Sequence, residues 1–128
     1  TPGSEGSTFG GYPLASVVSV FSIKVLVEDK LAENAMLRGS QILEHFCNLK
    51  SEFPDKIKEV RGKGLLTAFE MFDDPKLDGH KVSLGLLKQN VYAKETHHST
   101  LRIAPSLTIN AVQIDQIAGA IQKVIGNL

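Results

Sequence analysis

The sequence predicts an α+β fold, in which a small antiparallel or mixed sheet carries helices mainly on one of its faces. Segments with helical apolar spacing alternate with short β-type segments in the order α-α-β-β-α-β-β-α. The chain has 128 residues, 42% of them hydrophobic and 22% charged, which is enough for one core. We therefore expect a single globular unit.

The N-terminal part predicts a loop and two helices of opposite character. Residues 1–12 are rich in glycine and serine, and Pro13 suits the first position of a helix over residues 13–28. Apolar residues cover almost the whole circumference of that helix, so it is expected to pack against something outside the chain. A second helix over residues 30–50 has one apolar stripe and is expected to be peripheral.

The rest of the chain alternates strands and helices. Asn90 and Asn110 are expected to be the C-terminal cap of the third helix and the N-cap of the fourth. The predicted elements are strands over residues 57–60 and 65–72, a helix over 79–90, strands over 91–94 and 100–104 around the polar turn 95–99, and a helix over 111–125.

Charge and cysteine content exclude several classes of function. Fourteen basic and fourteen acidic residues cancel, so neither nucleic acid nor a membrane surface is an expected partner. Residues 17–27 are too short and too polar to span a bilayer. Cys47 is the one cysteine, so no intrachain disulfide can form; we expect it buried on a helix face in a reduced intracellular setting.

Two positions have residue types suited to binding an anion. Ser7 and Thr8 lie in a glycine-rich loop before a helix, where hydroxyls, backbone N–H groups and the helix dipole can hold a phosphate. The same composition also occurs in ordinary turns. Arg102 lies in an apolar run, where a guanidinium can bind a carboxylate through two hydrogen bonds or make a surface ion pair. The residues alone leave these alternatives open.

The histidines predict no metal site. His97 and His98 are adjacent, and on an extended segment their side chains point to opposite faces. His45 and His80 are isolated in the sequence. No Ser-His-Asp or Cys-His arrangement has a supporting motif.

Four blocks of the sequence match those of a known family. They are Gly-Ser-Thr-Phe-Gly-Gly-Tyr-Pro-Leu at 6–14, Val-Arg-Gly-Lys-Gly-Leu-Leu at 60–66, Ala-Lys-Glu-Thr-His at 93–97 and Leu-Arg-Ile-Ala-Pro-Ser-Leu at 101–107. These blocks resemble those of ornithine aminotransferases, which are pyridoxal-phosphate enzymes of the class III aminotransferase group. They occur in the family's order and at similar spacing, and together they correspond to roughly the C-terminal third of its polypeptide.

The resemblance implies the small C-terminal domain of a fold-type-I aminotransferase. In that arrangement residues 1–12 form a loop that contacts the cofactor phosphate of the neighbouring subunit through Ser7 and Thr8. Residues 13–29 form an inter-domain or dimer helix, and residues 30–128 form the small domain. The resemblance thus implies a homodimer, and a chain that starts at Thr1 without an initiating Met is expected to be a fragment.

The resemblance also assigns the substrate-binding and catalytic roles. Arg102 is implied to bind the α-carboxylate of 2-oxoglutarate or glutamate, and to pair with a large-domain glutamate when ornithine is bound. The lysine that forms the Schiff base is implied to lie upstream, in the large domain. Lys63 and Lys94 match structural segments, so this chain is expected to hold no catalytic residue and to be inactive alone.

The implied reaction transfers the δ-amino group of L-ornithine to 2-oxoglutarate, giving glutamate-5-semialdehyde and glutamate, in the cytoplasm or the mitochondrial matrix. Alternatives are another class III ω-aminotransferase, acting on acetylornithine or 4-aminobutyrate, and a non-catalytic interaction module derived from this domain. The chain departs from the family pattern at four positions: Glu5 replaces His, Tyr12 replaces Asn, and Glu95 and Ser106 replace Pro.

Overall fold

The computed structural model describes residues 3, 6–75 and 77–128; Glu5 therefore lies outside the described residues. The elements run in the predicted order. They are α1 (Pro13–Glu28), α2 (Leu31–Glu52), β1 (Ile57–Lys63), β2 (Leu66–Met71), α3 (Gly79–Leu87), β3 (Lys94–Thr96), β4 (Thr100–Ile103) and α4 (Ala111–Gly126). The predicted α+β class is confirmed.

The sheet has the strand order β1-β2-β4-β3, and each neighbouring pair is antiparallel. Of the two predicted kinds of sheet, the structure has the antiparallel one. The central pairing joins β2 to β4, so β4 is an interior strand and β1 and β3 form the edges. Helix α2 packs on β1 and β2, while α3 packs on β3 and β4.

The core lies between this sheet and α2, α3 and α4. Phe46 of α2 meets Phe69 of β2 edge to face, with ring centroids 5.4 Å apart, and both side chains are buried. Leu101 and Ile103 of β4 are buried on the same side. Because side chains alternate along a strand, the other side of the sheet faces away from these helices. We call that side the open face; its residues are Glu59, Arg61, Lys63, Leu66, Ala68, Glu70, Lys94, Thr96, Thr100 and Arg102.

Helix α1 lies largely outside the core. None of its sixteen residues, all of them described, is buried, and Phe21 and Val27 are 62% and 72% exposed. Tyr12 makes no side-chain capping hydrogen bond, as expected for tyrosine at a position where Asn could cap. No helix in the described ranges combines the length and the apolar character needed to cross a membrane.

Helix α2 makes a backbone-to-backbone contact with the turn between β1 and β2. A β-carbon built on Gly39 would overlap the carbonyl group of Gly64, and Gly64 itself has a φ of +55°. Only glycine fits both positions without displacing backbone or adopting a disfavoured conformation. This contact brings α2 close enough to the sheet to bury Ile42 and Phe46.

Helix α4 has a complete N-terminal cap, as the sequence predicted for Asn110. The Asn110 side chain accepts a hydrogen bond from the Gln113 N–H at 2.9 Å, and the Gln113 side chain accepts one from the Asn110 N–H at 3.0 Å. Asn90 has a left-handed φ of 60°, as expected, but the C-cap of α3 is Lys88, so Asn90 lies in the turn after the helix and is not its cap.

Several predictions were wrong. The third helix ends at Leu87 and not at residue 90, and the first strand extends to Lys63 and not only to residue 60. The predicted strand over residues 91–94 lies instead at Lys94–Thr96, because the Val91 N–H donates to the Leu86 carbonyl and ties this segment to the end of α3. The loop between β3 and β4 accordingly shortens to residues 97–99. Cys47 is exposed rather than buried, because it lies off the apolar stripe of α2.

Candidate functional site

The loop before α1 holds Ser7 and Thr8 exposed. Two turn hydrogen bonds order it: the Gly10 N–H donates to the Ser7 carbonyl at 3.2 Å, and the Tyr12 N–H to the Phe9 carbonyl at 3.1 Å. Within the described ranges, neither hydroxyl has a hydrogen-bond partner. The first turn of α1 adds N–H groups without intrahelical partners, so the loop offers several donors to an anion.

Arg102 lies on the open face, in the interior strand β4, and not at a sheet edge. It is exposed, while its neighbours Leu101 and Ile103 are buried on the other side. The residues directly opposite Arg102 are Ala68 of β2 and Lys94 of β3. Arg102 makes no ion pair or hydrogen bond with any residue that the structure describes, so its guanidinium is available to a ligand.

The structure does not bring the two predicted anion-binding positions into contact. No hydrogen bond or ion pair joins Ser7 or Thr8 to Arg102 in the described part of the chain. Helix α1, which follows the loop, is about 24 Å long at 1.5 Å per residue. The two positions therefore do not form one site through any contact within this chain.

Two other cations near this side of the sheet, Lys58 and Arg61, are paired with carboxylates. Glu70 accepts from Lys58 Nζ at 2.6 Å and from Arg61 Nη1 at 2.9 Å, and Arg61 also lies 3.5 Å from Glu59. Hydrogen bonds from Lys58 and Arg61 lower the pKa of the Glu70 carboxyl group from its ordinary value. Lys58 and Arg61 thus share the two carboxylates Glu59 and Glu70, whereas Lys63, Lys94 and Arg102 have no ion pair in the described part of the chain.

The Glu70 cluster predicts an acid-dependent stability. A carboxyl group whose pKa is lowered in the folded state stabilises the fold above its unfolded pKa, near 4.3, and loses this contribution as the pH falls through the folded value. We expect Glu70→Gln to lower the melting temperature at pH 7 and to lower it by a smaller amount at about pH 4, where the unfolded carboxyl group is partly protonated. Thermal unfolding followed by circular dichroism at both pH values measures this difference.

Glu44→Gln serves as the control for that experiment, because Glu44 is exposed and has no ion pair within the described ranges. It should leave the melting temperature unchanged at pH 7. An equal effect of Glu70→Gln at both pH values would show that the loss comes from packing and not from charge.

The histidines are less isolated than the sequence predicted. His45 Nε2 lies 2.9 Å from Asp115 Oδ1, and this contact lowers the pKa of Asp115. His80 Nδ1 lies 3.3 Å from Glu95 Oε2. His97 and His98 occupy a turn with φ of 52° and 62°, and not the extended segment that was expected. Among the described residues, no group of three His, Cys, Asp or Glu side chains could hold a metal ion.

Comparison with known proteins identifies the family. The model of class-III aminotransferases matches residues 1–125. The chain belongs to this family. It is 37% identical over 126 residues to the mitochondrial ornithine aminotransferase of Arabidopsis thaliana, covering 97% of this chain and 26% of that protein. The resemblance to ornithine aminotransferases seen in the sequence is confirmed.

Two solved structures of this family show the same fold. One is the acetylornithine aminotransferase of Elizabethkingia anophelis, at a TM-score of 0.87 and 34% identity over 100% of this chain and 32% of that one. The other is the ornithine aminotransferase of Toxoplasma gondii, described with partial occupancy of PLP at its active site. Its TM-score is 0.85 and its sequence identity is 35%, over 97% of this chain and 29% of that one. The chain thus spans about a quarter to a third of these relatives.

The sequence found Ser7, Thr8 and Arg102 as candidates but missed the position of Lys94. Lys94 lies directly opposite Arg102, with Ala93 buried beside it as Leu101 is beside Arg102. The alternation of apolar and charged residues in these two segments indicates that Lys94 and Arg102 each point away from the core. That Lys94 lies opposite Arg102 follows only from the register of the hairpin, which depends on the length of the loop at residues 97–99.

Proposed function

We propose that this chain is the C-terminal part of an ornithine δ-aminotransferase, which transfers the δ-amino group of L-ornithine to 2-oxoglutarate. The products are glutamate-5-semialdehyde and glutamate. The observation that carries this proposal is the guanidinium of Arg102 on the open face, which has no partner among the described residues, in a chain of the class-III family. A planar guanidinium binds a carboxylate through two parallel hydrogen bonds, and each of these substrates has a carboxylate.

The proposed role of Arg102 is to bind the α-carboxylate of 2-oxoglutarate and to orient the oxo acid. Burial of Leu101 and Ile103 on the opposite face fixes the strand that carries Arg102. Ala68 beside it has only a methyl group, which leaves space for a ligand next to the guanidinium. Chain residues thus position the substrate, while the large domain would supply the lysine that forms the Schiff base.

Pyridoxal phosphate is the proposed cofactor, and when bound it supplies the electron sink and carries the amino group. The N-terminal loop fits its phosphate, because Ser7 and Thr8 have hydroxyls with no partner among the described residues, next to the start of a helix. We propose that these hydroxyls donate to the phosphate held mainly by the neighbouring subunit.

A homodimer is the proposed assembly, with residues 13–29 as the helix at the domain or subunit interface. Support comes from α1, whose large apolar side chains are all exposed in this chain. Exposed apolar patches of this kind mark interaction surfaces. Residues 30–128 would form the small domain.

The proposed compartment is the cytoplasm or the mitochondrial matrix. The Arabidopsis relative is named as a mitochondrial enzyme.

The test is the amino-donor preference of the full-length enzyme. We expect kcat/KM with ornithine to exceed that with N-acetylornithine or 4-aminobutyrate by at least about tenfold, or about 1.4 kcal/mol, with 2-oxoglutarate as acceptor. A preference for N-acetylornithine would favour the acetylornithine alternative. The 128-residue chain alone is the control and should form no glutamate. Absence of transamination with every donor would favour the non-catalytic module.

A further inference from the structure

Lys94 and Arg102 form a pair of like charges directly opposite each other on β3 and β4. Opposed residues of an antiparallel pair have β-carbons about 4.5–5.5 Å apart, and like charges at this spacing destabilise a sheet. Both side chains are exposed, and they project from the open face because Ala93, Leu101 and Ile103 are buried on the other side. The fold therefore keeps an unfavourable pair in register.

No carboxylate among the described residues compensates this pair. Lys94 and Arg102 make neither an ion pair nor a hydrogen bond with any residue in the described ranges. The two carboxylates of the open face, Glu59 and Glu70, contact Arg61 and Lys58 on the β1 side. The β4–β3 side thus has two positive charges that can favour an anion from outside this domain.

We infer that Lys94 and Arg102 together form a two-cation carboxylate site. The guanidinium of Arg102 binds the carboxylate through two hydrogen bonds, and the ammonium of Lys94 supplies a second positive charge. Lys94 is then a positioning residue for the oxo acid, an assignment that rests on the proposed function. Arginine gives directional bidentate hydrogen bonds, whereas lysine acts as a mobile point charge. Ala68, on the other side of Arg102, does not obstruct the ligand.

The experiment compares Lys94→Met, Lys94→Arg and Lys63→Met in the full-length enzyme. Methionine keeps the unbranched shape of the side chain without its charge, and removal of one of two like charges should not destabilise the hairpin. Lys63 is the matched control, because it is an exposed lysine at the end of β1 and has no ion pair in the described part of the chain. Melting temperatures establish that all three variants are folded.

We expect Lys94→Met to lower kcat/KM in the 2-oxoglutarate half-reaction by about tenfold, mainly through KM, and to weaken its dependence on salt. Lys94→Arg should restore most of the loss, and Lys63→Met should change this half-reaction by less than about twofold. The ornithine half-reaction should stay within about twofold for every variant. A merely structural role of Lys94 would slow both half-reactions together and would overturn the inference.

A binding measurement separates this inference from the proposed function. Glutarate is a dicarboxylate without a reactive oxo group, and titration calorimetry measures its affinity without turnover. We expect Lys94→Met to weaken glutarate binding about tenfold and Lys63→Met to leave it unchanged. If the wild-type enzyme does not transaminate ornithine but shows this pattern, the proposed function fails and the carboxylate site stands. Equal glutarate affinity of wild type and Lys94→Met would overturn the site.

Discussion

Replacing Arg102 by lysine in the full-length enzyme should slow the half-reaction with 2-oxoglutarate by about tenfold to a thousandfold in kcat/KM. This corresponds to about 1.4 to 4 kcal/mol of transition-state stabilisation. The substitution keeps the positive charge on β4 but replaces two parallel hydrogen bonds by a point charge. The ornithine half-reaction should lose less, because the δ-amino group reacts while the α-carboxylate lies elsewhere. Single-turnover rates of the two half-reactions, measured separately, test this difference.

Arg61→Lys is the matched control for Arg102→Lys. Arg61 lies in the same cross-strand row of the open face, but its guanidinium already contacts Glu59 and Glu70. The control should alter neither half-reaction by more than about twofold. Equal losses in both half-reactions of Arg102→Lys, or none in either, would make Arg102 a structural residue of the strand.

Replacing Gly39 by alanine should destabilise the fold by about 3 kcal/mol or more, near the upper end of overpacking effects. The added methyl group would overlap the Gly64 carbonyl, which is backbone and cannot rotate away. Either α2 moves off the sheet or the turn after β1 shifts, and both movements loosen the packing of Phe46 on Phe69. Urea unfolding followed by circular dichroism, at one protein concentration, measures the loss.

Gly119→Ala is the control, and we expect it to raise the free energy of unfolding, whereas Gly39→Ala lowers it. Gly119 lies in α4, and a β-carbon there would meet no atom within 4 Å. Alanine in an open helical position stabilises by about 0.5–1 kcal/mol, because glycine loses more backbone entropy on folding. If Gly39→Ala were as harmless as Gly119→Ala, the close contact between α2 and the turn could not be a determinant of this fold.

Local signals in the sequence predicted the helices well. Pro13 marks the start of α1, and Asn110 the start of α4, because each acts within one turn of its own position. The third strand was placed too early because apolar Val91 suggests a strand, whereas its N–H completes the end of α3. Cys47 was expected to be buried, but the stripe of α2 that faces the core passes through Ile42, Phe46 and Leu49.

The candidate site was predictable only in part, because its parts depend on pairing between segments distant in sequence. Arg102 was found from its own strand, where a charged residue interrupts an apolar run. Arg102 has no carboxylate partner among the described residues because Glu70 of β2 is paired with Lys58 and Arg61 of β1. A register shift of one residue would place Arg102 on the core side, so only the folded sheet defines which charges share a face.

The strand order also has a consequence for folding. Arg61 and Glu70 belong to the β1–β2 hairpin, while Lys94 and Arg102 belong to the β3–β4 hairpin. The β2–β4 pairing requires the chain through α3 to close a longer loop, so we expect both hairpins to form before the two halves of the sheet join. Each charge cluster then depends on the pairing of one hairpin, and the β2–β4 pairing brings the two clusters onto one face.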